Sequence, residues 1–220
     1  MSQETLIAYY GRRAHEYERI YRKPERQSDL IRLREHLRRV LGGHRVLELA
    51  CGTGYWTAAI ADTANSVLAT DASDEVLAVA RAKRLDSARV SFARADAYNP
   101  VHVHYQSDFT AGFAAFWWSH VLMARLPSFL EHFHAALLPG ARVVFADNRF
   151  VPGSSTPICR MDDAGNTYQL RFLQDGSSHE VLKNFPSREQ LLDSIRPYSD
   201  AVEILTFDYY WCVTYDIKEA

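Results

Sequence analysis

Five short apolar runs, each followed by a helix-sized segment, constrain the fold of this chain more than any other feature. The runs are "RVLEL" (45–49), "SVLATD" (66–71), "VSFARAD" (90–96), "FTAGFAAFWW" (109–118) and "ARVVFAD" (141–147), and three of them close on an acid: Asp71, Asp96 and Asp147. Between them, Tyr55 to Thr63 fits a helix. Ser73 is placed to cap a helix reaching Lys83, with Asp74 and Glu75 in its first turn, where acids meet the positive end of the helix dipole. Pro127 to Leu137 fits another helix, ended by Pro139-Gly140. Such alternation predicts an α/β fold, a parallel sheet with helices on both faces. Right-handed crossovers then bring the carboxyl ends of the strands to one edge, where doubly wound sheets bind their ligands.

The flanks read differently. Leu6, Tyr10, Ala14, Tyr17 and Tyr21 form one helical stripe, interrupted at Pro24. Leu30, Leu33, Leu37 and Leu41 form a second, stopped by Gly42-Gly43. After Asp147 come turn residues and a β-hairpin expected around Asp175-Gly176. Ser187 to Gln190 is a capping box opening a short helix, and "VEILTF" and "YYWCVTY" finish the chain as β runs. The expected organisation is one domain, 1–220, with an N-terminal helical cover (1–43) and an insertion at about 148–186 on the substrate side.

With 220 residues, 47% of them hydrophobic, the chain is long enough for one sizeable core. A net charge of −2 argues against a whole-protein field for nucleic acid. No apolar stretch reaches membrane-spanning length, and the N-terminus lacks the layout of a signal peptide. Cys51, Cys159 and Cys212 lie far apart, so neither a disulfide nor a metal pattern is expected, and a reduced, cytoplasmic setting is. His102-Val103-His104 and His132-Phe133-His134 would each share a face only in a strand, and neither has an acid cluster nearby. They read as packed or exposed histidines, and no metal is expected. Residues 1–45 hold 11 Lys/Arg against 6 Asp/Glu, a net of +5, whereas the remainder holds 14 against 21, a net of −7. Two readings of that asymmetry stand: solvated helix faces, or a basic cover over an anionic ligand.

The first strand runs directly into Ala50-Cys51-Gly52-Thr53-Gly54. Glycine at such a turn tolerates positive φ and lets a ligand approach the backbone. The following helix points free N–H groups at whatever sits above it. Asp71 lies 19 residues after Gly52, the spacing of an acid that accepts ribose hydroxyls, and Asp96 falls where a base would lie. Together they outline an adenosine-type ligand. A dinucleotide fingerprint wants a third glycine or alanine where Thr57 stands, and Glu48 is a poor neighbour for a pyrophosphate. An NAD-dependent oxidoreductase is therefore disfavoured. Glu48 suits a cationic ligand, and S-adenosyl-L-methionine carries an ammonium, a carboxylate and a sulfonium but no phosphate.

Those stretches resemble the class I S-adenosylmethionine-dependent methyltransferases of the small-molecule type. "LELACGTGYWT" is similar to that family's first motif, "ATDASDEVLAVARAK" to its second-strand motif and "VSFARADAY" to its third. "AFWWSHVLMARLPSFLEHFHAALLPGARVVFADN" resembles the fourth-to-fifth-strand block, and "YYGRRAHEY" the aromatic leader, so the likeness runs from about Tyr9 to Asn148. It implies a Rossmann-like seven-stranded sheet, strands 1–5 parallel with an antiparallel end. It also implies a cofactor site of Glu48, Ala50, Gly52, Gly54, Asp71, Ala72, Asp96, Ala97 and Trp117. On the acceptor side it implies Tyr10, Tyr17, Trp118 and Arg149. His120 is the candidate base, as an ordinary imidazole titrating near pH 6.5, or else it only shapes the pocket. No Asn/Asp-Pro-Pro-aromatic run or Pro-Cys pair points to nucleic acid as acceptor, so a small molecule is expected. A cofactor-binding subunit without turnover is the alternative, and the oligomeric state stays open.

Overall fold

The computed structural model of the protein describes residues 3–14, 16–100, 108–173 and 176–219. The side chain of Leu6, the pair His102 and His104, and the hairpin-tip Asp175 lie outside them. The five expected runs form β1 (Arg45–Leu49), β2 (Ser66–Asp71), β3 (Val90–Arg94), β4 (Ala111–Ala115) and β5 (Arg142–Asn148). They pair in parallel. Two more strands from the end of the chain, β9 (Val202–Thr206) and β10 (Tyr210–Asp216), complete a seven-stranded sheet in the order β3-β2-β1-β4-β5-β10-β9. β10 runs antiparallel to β5, and β9 antiparallel to β10.

The strands read as nearly unbroken apolar runs because both faces of the sheet are covered. On one face Val46 and Phe113 pack with Leu33 and Leu37 of α2 (Gln27–Val40), Ile60 of α3 (Tyr55–Ile60) and Leu77 of α4 (Asp74–Ala82). On the other, Leu47 and Phe145 pack with Phe129 and Phe133 of α5 (Leu126–Ala135) and with Leu191 and Ile195 of α6 (Arg188–Ile195). Neighbouring residues of one strand thus enter opposite cores. The capping box of Ser187 and Gln190 forms, and Ser73 caps α4 through Val76 N–H.

Three elements differ from the sequence-based expectation. The first stripe is not one helix. α1 (Gln3–Arg13) stops where the N–H groups of Ala14 and Glu16 bond three residues back, and Tyr17–Arg22 and Pro24–Arg26 continue as 3-10 turns. Tyr10, Tyr17 and Tyr21 still form a row, in edge contact at ring separations of 5.6 and 6.1 Å. The fourth strand ends early, at Ala115, because Phe116 takes a positive φ of 60° and turns the chain away from the sheet. The 148–186 region holds three antiparallel strands, not two: β6 (Ile158–Met161), β7 (Thr167–Phe172) and β8 (Ser178–Leu182). Tyr9 of α1 packs on Leu173 and Val181 beside that small sheet. Among the described residues no helix is long and apolar enough to cross a membrane.

Candidate active site

Both ligand-facing acids leave the sheet at its carboxyl edge. Glu48 comes from β1 and Asp71 from the end of β2, with the turn 50–54 between them. Asp71 ties that turn down. Its Oδ2 accepts the Gly52 N–H at 2.9 Å and its Oδ1 accepts the Ser73 N–H at 3.0 Å. The two glycines do different work. Gly52 has φ 55° and nothing within 4 Å of a would-be Cβ, so its face of the turn is open to a ligand. Gly54, at φ 74°, would drive a Cβ to 3.1 Å from Ala80 on α4. It does not line the cleft, contrary to the sequence expectation, and serves the close approach of α3 to α4.

The cleft above the turn is lined by Glu48, Ala50, Gly52, Asp71, Ala72, Asp96, Ala97 and Trp117, with Tyr10, Tyr17 and His120 opposite. Glu48 is only 1% exposed and accepts the Thr57 hydroxyl at 2.7 Å. Burial pushes its pKa up to about 8, with the Asp71 carboxyl adding to the shift. Burial also raises the Asp71 pKa, against the hydrogen bonds from Ser73 and Gly52. A buried carboxyl beside a partly buried one favours a cation. The buried indole N–H of Trp117, a residue that lines the same space, has no hydrogen-bond partner among the described residues. An ammonium for Glu48, an acceptor for Trp117 and hydroxyls for Asp71 are what S-adenosylmethionine carries, so these residues fit it.

His120 does not behave as a free imidazole. Its Nδ1 lies 2.7 Å from the Leu182 carbonyl, which can only accept, so Nδ1 carries the proton. Nε2 then accepts from the Tyr10 hydroxyl at 2.9 Å. Burial, with Lys183 as a nearby cation, lowers the His120 pKa to about 3, which replaces the expected value near 6.5. The Tyr10 hydroxyl is pushed far above its ordinary value by burial.

Two expected acceptor-side residues lie elsewhere. Trp118 is 3% exposed and packs edge-on against Phe145 and Trp211 at 5.0 and 5.9 Å, because the early end of β4 turns it into the core. Exposed Arg149 bonds the carbonyls of Phe207 and Asp208 and lines neither cavity. His132 and His134 fall on α5, and His134 bonds the Tyr215 hydroxyl at 2.7 Å.

A second chamber opens beyond the tyrosine row, sharing Tyr10, Tyr17, Tyr21, Phe116 and His120 with the first. Arg13, Lys23, Arg26, Arg171 and Lys183 line it, and among the described residues no acid does. Lys183 is tied up within it, 2.9 Å from Asp147 and 2.6 Å from the Ser119 hydroxyl. Sequence reading missed this set, since it gathers residues from α1, the 3-10 turns, β7 and the segment after β8. The one available signal was the positive balance of residues 1–45.

The sheet order, the glycine turn and the acids at the strand ends define a nucleoside-cofactor enzyme of the Rossmann-like kind. Residues 46–140 match the methyltransferase domain family. DhpI in complex with SAH is 28% identical with a TM-score of 0.80, covering 99% of this chain and 97% of that one. A DhpI-SAM-HEP complex is 28% identical with a TM-score of 0.79, covering 97% and 98%. Demethylmenaquinone methyltransferase of Clavibacter sepedonicus is 29% identical over 161 residues, 73% of this chain. The match spans 61% of that enzyme's length. Residues 46–140 thus carry a methyltransferase domain, and the whole chain is similar to solved complexes with SAH and SAM.

Proposed function

We propose that the protein transfers a methyl group from S-adenosyl-L-methionine to a small-molecule acceptor, and that nucleic acid is not its substrate. The observation that carries this reading is the continuity of two chambers of opposite character, one acidic and one basic, across the tyrosine row. The cofactor supplies a sulfonium methyl open to in-line displacement. Glu48 faces its ammonium, Asp71 its ribose, Asp96 and Ala97 its base, and the 50–54 backbone with Trp117 encloses the rest. Tyr10 and Tyr17 stand between cofactor and acceptor, and the N-terminal segment with the 148–186 insertion roofs the acceptor. His120 is a positioning residue that holds the Tyr10 hydroxyl in place. Alignment of the reacting atoms can contribute roughly 7–11 kcal/mol to such a reaction.

The test is a cofactor-dependent screen of metabolite pools, reading S-adenosylhomocysteine formation. Turnover with at least one pool is expected, alongside calorimetric binding of S-adenosylhomocysteine and none of NAD. Binding without turnover on any pool would favour a cofactor-binding subunit. Binding of NAD alone would overturn the reading.

A further inference from the structure

The basic chamber has more positive charge than the protein itself neutralises. Lys183 has the buried Asp147, and Lys23 has Glu25 at 4.0 Å. Among the described residues, no carboxylate comes within ion-pair distance of Arg13, Arg26 or Arg171. Arg26 is only 8% exposed. Its guanidinium is held on Asn148 and Ser154 and lies 5.0 Å from the Tyr209 ring centroid. Arg171 is fixed by one bond to Gln169 Oε1 at 2.7 Å, and Arg13 by one to the Tyr9 hydroxyl at 2.8 Å. The Nε donors of Arg26 and Arg171 are buried and bond nothing among the described residues. Buried guanidinium donors without partners mark a place for an anion, and their planar forks match oxyanions bidentately.

The reaction side of the chamber points the same way. A neutral hydroxyl acceptor needs a base, whereas a neutral amine attacks through its own lone pair. Both nitrogens of His120 are engaged, and the Tyr10 hydroxyl donates to it. Among the described residues no carboxylate lines the chamber. A hydroxyl acceptor is therefore disfavoured, and the guanidinium groups select an oxyanion, which needs no base, over an amine.

We propose that the acceptor is a small organic dianion, a phosphonate or phosphate monoester, methylated on one of its oxygens. Three guanidinium groups without carboxylate partners call for more charge than a single carboxylate brings, and the apolar Ile20, Leu170 and Phe185 leave room for a short organic group. In the transfer, an oxyanion lone pair forms the new O–C bond while the C–S bond breaks and its electrons return to sulfur. A monoanionic methyl ester and a neutral thioether result, and no proton is released. The inference rests on the methyltransferase reading above and deepens it.

The test uses the full chain loaded with S-adenosylhomocysteine and titrated calorimetrically with methylphosphonate, propyl phosphate, inorganic phosphate, propionate and 1-propanol. Methylphosphonate and propyl phosphate should bind, and more weakly as sodium chloride rises. Propionate should bind at least ten-fold more weakly, and 1-propanol not at all. Arg171→Gln should weaken phosphonate binding about ten-fold, the loss of a charge-assisted contact, while S-adenosylhomocysteine affinity, which also reports folding, holds. Arg171→Lys should fall between. With S-adenosylmethionine, the two organic dianions should yield methyl esters. Binding of inorganic phosphate without either organic dianion would overturn the organic acceptor. Equal binding of propionate or 1-propanol would overturn the dianion. Loss of S-adenosylhomocysteine binding by the wild-type protein would instead overturn the underlying cofactor reading.

Discussion

The two chambers on either side of Tyr10 and Tyr17 are built on opposite electrical plans. Among the described residues, one side has Glu48, Asp71 and Asp96 at strand ends, whereas the far side has five cations and no acid. They also differ in how they are assembled. The acidic side comes from the carboxyl ends of β1 and β2 and from the turns that follow β1, β2 and β3, so backbone hydrogen bonds of the sheet hold it. The basic side is brought together by packing between segments far apart in the chain. A ligand carrying positive charge and one carrying negative charge are thereby sorted to their own ends before either touches a reacting atom.

That contrast can be broken most severely at Lys183. It is the one chamber cation bonded to a buried carboxylate, with 5% of its side chain exposed against 0% for Asp147. Burial works against the Asp147 carboxylate, yet Lys183 and the hydrogen bonds from Ser119 hold its pKa below the ordinary range. Lys183→Met should leave that charge stranded and cost about 3–5 kcal/mol of stability, read from denaturant unfolding. A loss no larger than that of Arg171→Gln would mean that Lys183 belongs with the ligand-directed cations.

On the acidic side, Asp71→Ala should weaken S-adenosylhomocysteine binding about ten-fold or more, since a charged hydrogen-bond partner contributes roughly 1.5–3 kcal/mol. Calorimetry checks this, and unchanged affinity in a folded variant would place the ribose elsewhere. The two glycines of one turn should separate. Gly54→Ala should lower stability by about 1–2 kcal/mol for its left-handed backbone, with more from the Ala80 contact, while the folded protein keeps its cofactor affinity. Gly52→Ala carries similar strain and should also lose affinity. Thermal melts with and without S-adenosylhomocysteine distinguish them.

The smallest effect is one of pH. With its pKa raised to about 8, Glu48 contributes stability at low pH that falls away as pH climbs from its unfolded value, near 4.3, through about 8. An ammonium opposite Glu48 favours the ionised form. Cofactor binding should therefore release a proton between roughly pH 5 and 8, and affinity should rise with pH across that window. Titrations in buffers of different ionisation enthalpy measure the proton. Glu48→Gln should abolish the release.

What could be read from the chain beforehand follows the same divide. β1 and β2, the caps at Ser73 and Ser187, and the acids Glu48, Asp71 and Asp96 are local patterns in which neighbouring residues determine one another. Trp117 and Trp118 show where locality ends. Adjacent and chemically alike, they are sent to cleft and core by the positive φ of Phe116, which no side-chain pattern announces. Arg13, Arg26 and Arg171 are illegible for a related reason. Each looks like an ordinary surface base until the fold sets Tyr9 of α1 on the small sheet and Arg26 against Ser154.

The small sheet β6-β7-β8 shares no strand pairing with the seven-stranded one, and α1 precedes every strand of it. The parts that surround the basic chamber can therefore drift or be exchanged without disturbing the register of β1 to β5. Selection, or a protein engineer, can retune the basic chamber by rewriting Arg13, Arg26 and the β7–β8 hairpin, while the strand-end acids and glycine turn of the other chamber stay as they are.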